Sequence, residues 1–386
     1  MTEERRVGAL FFSLNFFMYV CVALFWPYMS AHYANLGIDS GRIGILTSIA
    51  SLATLFVLPF WSRISDRTGN RRAVLKIIAL GSSLSILLFL ISNSFWTLLL
   101  TVSLFMCFHV CLIPLTDAVV ITYLAQTRMK FSSIRLGGTI GFGLMMLVSG
   151  YIYAYSSILT FSLASACFLL LFLFIRKIPQ VEVEKKEKQR FELRRLFKNK
   201  RIIFILFIAF VIQVAQGFNF AFLGVYIQEL GFTSREIGIA HFLSVLLEIP
   251  VFLVIDRVLR RFSVITVTIF CGFIITLRML MLFAAADMSL IYMSMLSNGI
   301  SFIGVYYSCA TFINREMDSD LKSTGQSMLA ICQMGLGNIT GSLLGGYISM
   351  YAGIRYAYLC FGLTLGIVCV ICTAAFTALK IKRRYQ

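Results

Sequence analysis

Long apolar stretches recur along the whole length of the sequence. Hydrophobic residues make up 59% of the 386 residues and charged residues 13%, and the mean hydropathy is +0.88. A helix needs roughly 20 apolar residues to cross the hydrocarbon core of a bilayer. The sequence is therefore predicted to be an all-α membrane protein. Its twelve predicted spans, numbered 1 to 12, are 7–33, 42–62, 73–92, 95–124, 133–153, 157–175, 201–228, 236–255, 263–283, 288–314, 323–350 and 355–379.

The basic residues are distributed unevenly among the connections between these spans. The chain has 34 Lys and Arg against 17 Asp and Glu, and a net charge of +17 could suggest a nucleic-acid partner. However, only Arg42, Arg235 and Arg355 fall in the odd-numbered connections, while the termini and the even-numbered connections hold nearly all the others. Membrane proteins keep such basic segments on the cytoplasmic side. The pattern predicts a protein of the cytoplasmic membrane with both termini in the cytoplasm, and no nucleic-acid partner.

The longest connection, at 176–201, divides the sequence into two halves of six predicted spans. It is rich in Lys, Arg and Glu and contains no apolar run long enough to cross a bilayer. Its second half alternates large apolar residues with Arg and Lys, which is typical either of a short helix on anionic lipid or of a solvated tether. We therefore predict six-helix bundles at 1–175 and 201–386, joined by a basic linker at 176–200.

The two halves repeat short motifs at equivalent places. LGIDSGRIGI at 36–45 corresponds to LGFTSREIGI at 230–239, and each leads into a span that contains a proline. Those spans end in DRTGNRR at 66–72 and DRVLRR at 256–261. Repeated halves of six spans are typical of transporters whose solute site lies near the middle of the membrane. The sequence thus predicts two pseudo-symmetric bundles.

Four charged residues interrupt the apolar stretches, namely Asp117, Arg135, Glu248 and Arg278. Each half carries an acid that is followed by an arginine about one span later. A charge at the centre of a bilayer costs roughly 3 kcal/mol even on the lower scales, and such residues usually line a solute or ion pathway. Because two acids allow a cavity to change its protonation, the pattern favours a transporter over a passive membrane anchor.

With these motifs, the chain resembles the major facilitator superfamily over essentially its whole length. DRTGNRR is similar to the signature loop between the second and third helices of that superfamily. The resemblance implies that the aspartate caps a helix end and that the arginines bridge to neighbouring helix termini in one conformation. The residues of this predicted conformational gate are Asp66, Arg67, Gly69, Arg71 and Arg72, with Asp256 and Arg257 in the second copy.

Further segments resemble the branch that contains lactose permease-like, phenylpropionate permease-like and nucleoside:proton symporter-like transporters. They are PLTD at 114–117, IRLGGTIGFG at 134–143, Glu248 followed by IPVF, and Leu277 with Arg278. The spacing of the acid in PLTD and the arginine in IRLGG matches the pair that binds sugar in lactose permease-like proteins. Where this branch often has a His in span 10, this chain has Asn298, which cannot carry a proton.

The intramembrane charges are predicted to divide their roles between solute and proton. We assign solute binding to Arg135, whose planar guanidinium can hold a carboxylate or hydroxyl groups, with Asp117 as its partner. The alternative is a purely structural ion pair. We assign the proton to Glu248, because burial favours the neutral form of a carboxyl group. The alternative is a permanent tie to Arg278, which we otherwise expect to hold Glu248 once the proton has left. His241, about two helical turns before Glu248, is either a proton relay or a packed interior residue.

Polar and aromatic side chains at helical spacing predict the lining of a hydrated pathway. Each one alone is equally well explained by hydrogen bonds between helices, whereas the set indicates a small-molecule cavity. The predicted lining comprises Asn15, Tyr19 and Trp26 in span 1, Gln213, Gln216 and Asn219 in span 7, Asn298 and Tyr306 in span 10, and Gln333 in span 11.

The chain is thus predicted to be a secondary active transporter, and not an enzyme, that works by alternating access. A proton-coupled symporter that imports a sugar, a nucleoside or an aromatic acid is favoured. The alternatives are a proton-driven exporter of amphipathic compounds and a receptor or scaffold that transports nothing. The sequence has no nucleotide-binding loop and no metal-ligand cluster, so we expect no cofactor and a proton gradient as the energy source. The expected partners are solute, protons and lipid, and the expected state is a monomer.

Overall fold

The structure is a computed structural model, and each element that it describes is helical. Twelve helical segments in the described part of the chain are long and apolar enough to cross a membrane, which confirms the predicted number and order of spans. The described backbone comprises residues 3–125, 127, 129, 131–179, 199–317 and 321–384. The spans keep their numbers, with bounds Arg5–Asn35, Ser40–Thr68, Arg71–Leu90, Phe95–Leu124, Ser133–Tyr155, Ser157–Ile175, Lys200–Glu229, Ser234–Arg261, Val264–Ala284, Met288–Glu316, Thr324–Ala352 and Ile354–Thr377.

Several spans are built from two helices, and others are continuous. Span 1 contains Glu3–Phe25, a 3-10 turn at Trp26–Tyr28 and Met29–Asn35. Span 3 contains Arg71–Ile86 and a 3-10 turn at Leu87–Leu90, and span 4 contains Phe95–His109 and Leu112–Leu124. Span 8 contains Ser234–Leu246 and Glu248–Arg261. Span 11 contains Lys322–Ala330 and Asn338–Ala352, which a π-helical segment at Ile331–Gly337 joins. The continuous helices are Ser40–Thr68, Phe131–Tyr155, Ser157–Ile175, Lys200–Glu229, Val264–Ala284, Met288–Glu316 and Ile354–Arg384.

Two of these interruptions are caused by proline. A proline ring clashes with the carbonyl group four residues earlier and has no N–H to donate. Pro114 therefore breaks span 4 at Val110, and Pro250 breaks span 8 at Leu246. As a result, both acids of the membrane interior lie close to irregular backbone. Glu248 is the first residue of the second helix of span 8.

The repeated decapeptide forms a similar turn in both halves, although the residue that caps the next helix differs. Gly37 and Gly231 follow spans 1 and 7 with φ angles of 77° and 85°, a conformation that suits glycine at a helix C-terminus. The next helix then begins with a side-chain cap. Asp39 accepts a hydrogen bond from a first-turn amide of span 2 at 3.0 Å, and Glu236 accepts one from the Thr233 amide at 2.8 Å. The repeat therefore encodes a tight turn with a capped helix start.

The described residues form two compact units. The first unit contains the described residues up to 179 and the segment Ile227–Phe242. The second unit contains residues 199–226 and the described residues from Leu243 onward. The predicted linker at 176–200 lies largely outside the described residues, so the predicted division at that point stays a prediction. The predicted contact with anionic lipid, assigned to 176–201, also lies largely outside them.

Each unit is held together by close contact between helix backbones. In the first unit span 1 packs against spans 5 and 6. A Cβ on Gly137 would lie 2.7 Å from the Phe12 carbonyl oxygen, so only glycine permits this approach. In the second unit span 9 packs against spans 10 and 12. Spans 7 and 11 cross so closely there that a Cβ on Gly217 would lie 2.8 Å from the Asn338 Cα atom.

Candidate functional site

The intramembrane acid and arginine of the first unit form an ion pair. Arg135 Nη1 donates to Asp117 Oδ2 at 2.9 Å. The guanidinium also lies over the ring of Tyr19, with Cζ 4.7 Å from the ring centroid. A Cβ on Gly138 would come 2.5 Å from that ring, so glycine allows Tyr19 to lie against span 5. Tyr19 and Asp117 thus hold Arg135 on two sides.

The pair retains unused hydrogen-bonding capacity. Asp117 Oδ1 is buried and has no hydrogen-bond partner among the described residues. The Arg135 side chain remains 39% exposed, and only one of its nitrogens is engaged by Asp117. A buried acceptor without a donor costs about 1–3 kcal/mol, more when it is charged. A bound molecule that offers a hydroxyl or amine to Asp117 would remove that cost.

Two other predicted lining residues of span 1 lie apart from this pair. Asn15 is fully buried, and its Nδ2 donates to the carbonyl of Phe11 in the same helix at 3.2 Å. Trp26 lies in the 3-10 turn near the other end of the span and is 39% exposed. Among the described residues, neither side chain forms a hydrogen bond with Asp117 or Arg135. Of the three predicted residues of span 1, the structure brings only Tyr19 to the pair.

The second unit contains a small pocket, with a cavity volume of about 10 Å³ in this conformation, bordered by side chains of spans 7, 9, 10 and 11. Its polar wall consists of Gln213, Gln216, Tyr306 and Gln333, all of which the sequence predicted as lining. The Tyr306 side chain is 49% exposed, so its ring is available to a planar ligand. The apolar wall consists of Ile212, Ile275, Phe302, Val305 and Met334. Apolar walls with a few convergent amides are typical of small-molecule sites.

Arg278 does not border the pocket but forms a hydrogen bond with one of its lining residues, Gln216. Arg278 is fully buried, and its Nε donates to the Ser294 carbonyl oxygen at 2.9 Å. Its Nη1 donates to Gln216 Oε1 at 3.0 Å, and Gln216 Nε2 in turn donates to Asn298 Oδ1 at 3.4 Å. Arg278 and Asn298 therefore lie outside the pocket wall and fix the orientation of one wall amide. Asn219 also lies outside the wall, where it accepts a hydrogen bond from Tyr358 at 3.3 Å.

Asn338, which the sequence analysis did not single out, fixes the side-chain amide of Gln213 in the pocket wall. Gln213 Nε2 donates to Asn338 Oδ1 at 2.8 Å, and Asn338 Nδ2 donates to the Met334 carbonyl oxygen at 3.3 Å. Asn338 is the first residue after the π-helical segment of span 11. An asparagine inside an otherwise apolar span was the available signal. Its role could not be inferred without knowing where spans 7 and 11 cross.

Glu248 occupies the middle of span 8 and is half-buried. Span 10 lies directly against it, since a Cβ on Gly299 would be 2.8 Å from the Glu248 nitrogen. Among the described residues, the ion pairs do not include one between Glu248 and Arg278, whose hydrogen bonds go to spans 7 and 10. The alternative of a permanent tie between these residues is therefore absent from this conformation. His241 lies in the first helix of span 8 and Glu248 begins the second, with Leu247 between them, and the role of His241 as a proton relay stays a prediction.

The predicted gate loop of the first unit forms a short turn at Gly69 and Asn70 between spans 2 and 3. Span 2 ends at Thr68, and Gly69 follows with a φ angle of 64°. The implied capping role of Asp66 is not seen. Instead Asn70 caps span 3 by accepting a hydrogen bond from a first-turn amide at 3.0 Å. Asp66 lies inside the last turn of span 2, 3.7 Å from Arg71 Nη2.

The arginines of this loop reach other helices of the same unit. Arg71 Nη1 donates to Thr122 Oγ1 in span 4 at 2.9 Å, and Arg72 Nη1 donates to the carbonyl of Ile178 after span 6 at 3.1 Å. In the second copy, Asp256 accepts a hydrogen bond from Tyr307 of span 10 at 2.8 Å. Arg67 and Arg257 are exposed.

Comparison with known proteins gives consistent matches along the chain. The MFS_1 like family matches residues 11–360. A maltose permease of Geobacillus stearothermophilus is 24% identical over 365 residues, which cover 93% of this chain and 91% of that protein. A xanthosine permease of Escherichia coli is 29% identical over 276 residues, or 65% of each chain. A crystal structure of the nucleoside transporter NupG superposes with a TM-score of 0.88 at 18% identity, covering 96% of this chain and all of that one. The last match shows the fold.

Proposed function

Since this chain belongs to the MFS_1 like family of membrane transporters, we propose that it imports a nucleoside together with protons. The pocket of the second unit carries this proposal. Its wall combines an exposed tyrosine ring with three glutamine side chains, Gln213, Gln216 and Gln333. A nucleobase is planar and has both donors and acceptors on its edge, so it suits a stacking ring beside oriented amides. The similarity to a xanthosine permease agrees with this choice.

The ion pair of the first unit is proposed to engage hydroxyl groups of the solute. Among the described residues Asp117 Oδ1 has no donor, and Asp117 engages only one nitrogen of the partly exposed Arg135 side chain. Hydroxyl groups can satisfy both, because each one donates and accepts. A sugar is the second candidate for the solute, since it would use the same groups and the maltose permease matches nearly the whole chain.

Glu248 is the residue that we propose carries the proton. It lies half-buried in the middle of a membrane span, where an unpaired carboxylate is unfavourable. The sequence analysis named Arg278 as a possible permanent counter-ion of Glu248. Its guanidinium instead donates to Gln216 and to the Ser294 carbonyl oxygen. Asn298 forms a hydrogen bond with Gln216, and its amide does not titrate. Glu248 is therefore free to take up and release a proton during the transport cycle.

The setting proposed for this transport is the cytoplasmic membrane, with both termini and the even-numbered connections in the cytoplasm. The asymmetry of Lys and Arg supports that orientation. Transport proceeds by alternating access, with the DRTGNRR loop at 66–72 stabilising one of the two conformations. The proton gradient supplies the energy, and the working unit is the monomer.

Transport in proteoliposomes tests the proposal. With an acidic exterior and an alkaline lumen, radiolabelled uridine should accumulate in the vesicles, and a protonophore should abolish the accumulation. A one-unit pH gradient supports about tenfold accumulation for one proton per nucleoside, because 1.4 kcal/mol corresponds to a factor of ten. Accumulation of maltose instead would favour the sugar, and uptake that ignores the protonophore would refute the proton coupling. Loss of preloaded solute against its gradient would indicate the exporter, and absence of any flux the receptor or scaffold.

A substitution at Glu248 tests the proton carrier separately. Glu248→Gln should abolish uphill uptake and preserve exchange of labelled for unlabelled uridine, because a permanently neutral side chain still permits the loaded protein to change conformation. Glu236→Gln is the matched control, since Glu236 lies at the exposed end of the same span and caps it. A glutamine can keep that cap. Normal uphill uptake by the Glu248 variant would remove this residue from the proton pathway.

A further inference from the structure

The two hydrogen-bonded glutamines of the pocket have orientations that follow from their neighbours. A backbone carbonyl can only accept, so Asn338 must direct its Nδ2 to the Met334 oxygen, as the 3.3 Å contact shows. The other end of that amide, Oδ1, then faces Gln213 and can only accept. Gln213 must consequently use its Nε2 for this contact, which leaves its Oε1 as the atom not engaged by Asn338.

The neighbouring amide is oriented in the opposite sense. Arg278 has donors alone, so Gln216 must turn its Oε1 toward the guanidinium. Gln216 Nε2 then carries the N–H groups, one of which Asn298 accepts. The Gln213 amide therefore keeps an oxygen that Asn338 does not engage, whereas both ends of the Gln216 amide are engaged by Arg278 and Asn298. Asn338 fixes the orientation of the Gln213 amide, and Arg278 fixes that of the Gln216 amide.

We propose that Asn338 is a positioning residue that directs the Gln213 carbonyl oxygen into the pocket, so that the pocket selects solutes presenting an N–H or O–H donor at this point. Asn338 does not border the pocket and acts through Gln213. Its own position is fixed by the helix crossing, since a Cβ on Gly217 would lie 2.8 Å from the Asn338 Cα atom. The π-helical segment that precedes it contributes Gln333 and Met334 to the wall, so one short stretch of span 11 supplies and orients the wall. This inference rests on the proposed function, because it concerns the solute site of the same pocket.

The selectivity is measured with two probes that differ at one atom. Uridine has an N–H group at N3 of its base, and 3-methyluridine has a methyl group there. The purified full-length protein should bind uridine about tenfold more tightly, the value of roughly one net hydrogen bond with a buried partner. In Asn338→Leu the Gln213 amide can turn, and the ratio of the two affinities should fall to about threefold or less. Asn338→Asp keeps the acceptor for Gln213 and should retain most of the ratio.

Gln326→Leu is the control for a hydrogen bond lost elsewhere in span 11. Gln326 Nε2 donates to the Ala310 carbonyl oxygen at 2.8 Å, and this residue does not border the pocket. Its replacement should leave the affinity ratio unchanged. If Asn338 were merely structural, Asn338→Leu would lower both affinities equally and leave the ratio at its wild-type value, which would overturn the proposal.

A thermal-stability cycle tests the Asn338–Gln213 contact without any solute. The variants are Asn338→Leu, Gln213→Leu and the double variant. The double variant should lose less in Tm than the two single losses added together, because each single change already breaks the shared hydrogen bond. Additive losses would overturn the inference whatever solute the protein carries. If the wild-type protein bound neither nucleoside while the losses stayed non-additive, the proposed function would fail and the contact would stand.

Discussion

Replacing Arg135 with lysine separates the charge of this residue from the shape of its guanidinium. The guanidinium donates to Asp117 at 2.9 Å and lies 4.7 Å from the centroid of the Tyr19 ring. A lysine ammonium can keep the contact with Asp117, because it is a point charge on a flexible stem. It cannot also stack on the ring and extend a second N–H toward a bound solute. The charge is retained and the planar fork is lost.

The expected loss follows from these two contacts. A stacked arginine at a partly exposed site contributes about 0.5 kcal/mol. A hydrogen bond from a charged donor to the solute contributes about 1.5 kcal/mol, the lower end of the range, because the Arg135 side chain is 39% exposed. The stacking contact is present without solute and its loss lowers stability, so the lost hydrogen bond of about 1.5 kcal/mol sets the change in affinity, roughly a tenfold rise in Kd. The ion pair itself should survive, so the Tm should change little.

Equilibrium binding of labelled uridine to the purified protein measures this effect. Arg42→Lys is a matched control in the same unit. Arg42 also forms an ion pair, with Asp39 at 3.3 Å, and lies over an aromatic ring, that of Phe95 at 5.3 Å, outside the predicted solute pathway. The control should bind with the wild-type Kd. A Kd for Arg135→Lys within threefold of the wild-type value, for uridine and for maltose alike, would refute the assignment of a binding fork.

Three further substitutions test other contacts. Gly341→Ala places a Cβ against the Val214 carbonyl oxygen and should lower the Tm by several degrees in a thermal-shift assay, since overpacking costs about 1–3 kcal/mol; an unchanged Tm would contradict the close crossing. Gln216→Leu removes an acceptor from the buried guanidinium of Arg278 and should cost about 1.5–3 kcal/mol of stability in the same assay. Arg71→Gln breaks the contacts of the gate loop and should slow uridine flux in vesicles with no change in Kd. A rise in Kd that accompanies the slower flux would place Arg71 in solute binding.

The architecture was accessible from the sequence because membrane burial leaves a strong local signal. Backbone groups in lipid must be satisfied within each helix, so an apolar run of sufficient length predicts one span. The DRTGNRR and DRVLRR motifs looked like loops because they are charged, yet the helices of spans 2 and 8 extend through much of them, to Thr68 and Arg261. The breaks at Val110 and Leu246 were also readable in principle, from Pro114 and Pro250.

The candidate site was only partly accessible, because hydrogen bonds depend on where helices cross. Charge alone identified Arg278, but its partners Gln216 and Ser294 come from two other spans. Helical spacing grouped Gln213 with Gln216, and both residues border the pocket. The same spacing placed Asn219 beside them, whereas it forms a hydrogen bond with span 12. Helical spacing in the sequence identifies the polar faces of helices. Only the tertiary structure shows which polar residues border the pocket and which form hydrogen bonds to those that do.

The single helix of span 10 has a mechanical consequence. Asn298 touches the pocket amide of Gln216, and the next residue, Gly299, lies against the backbone of Glu248. Because these two residues are adjacent in one helix, we expect a displacement of the Gln216 amide to shift the backbone beside Glu248, and the reverse. Thermodynamic linkage then requires that, if Glu248 carries the proton, protonation changes solute affinity by the same factor by which solute changes proton affinity.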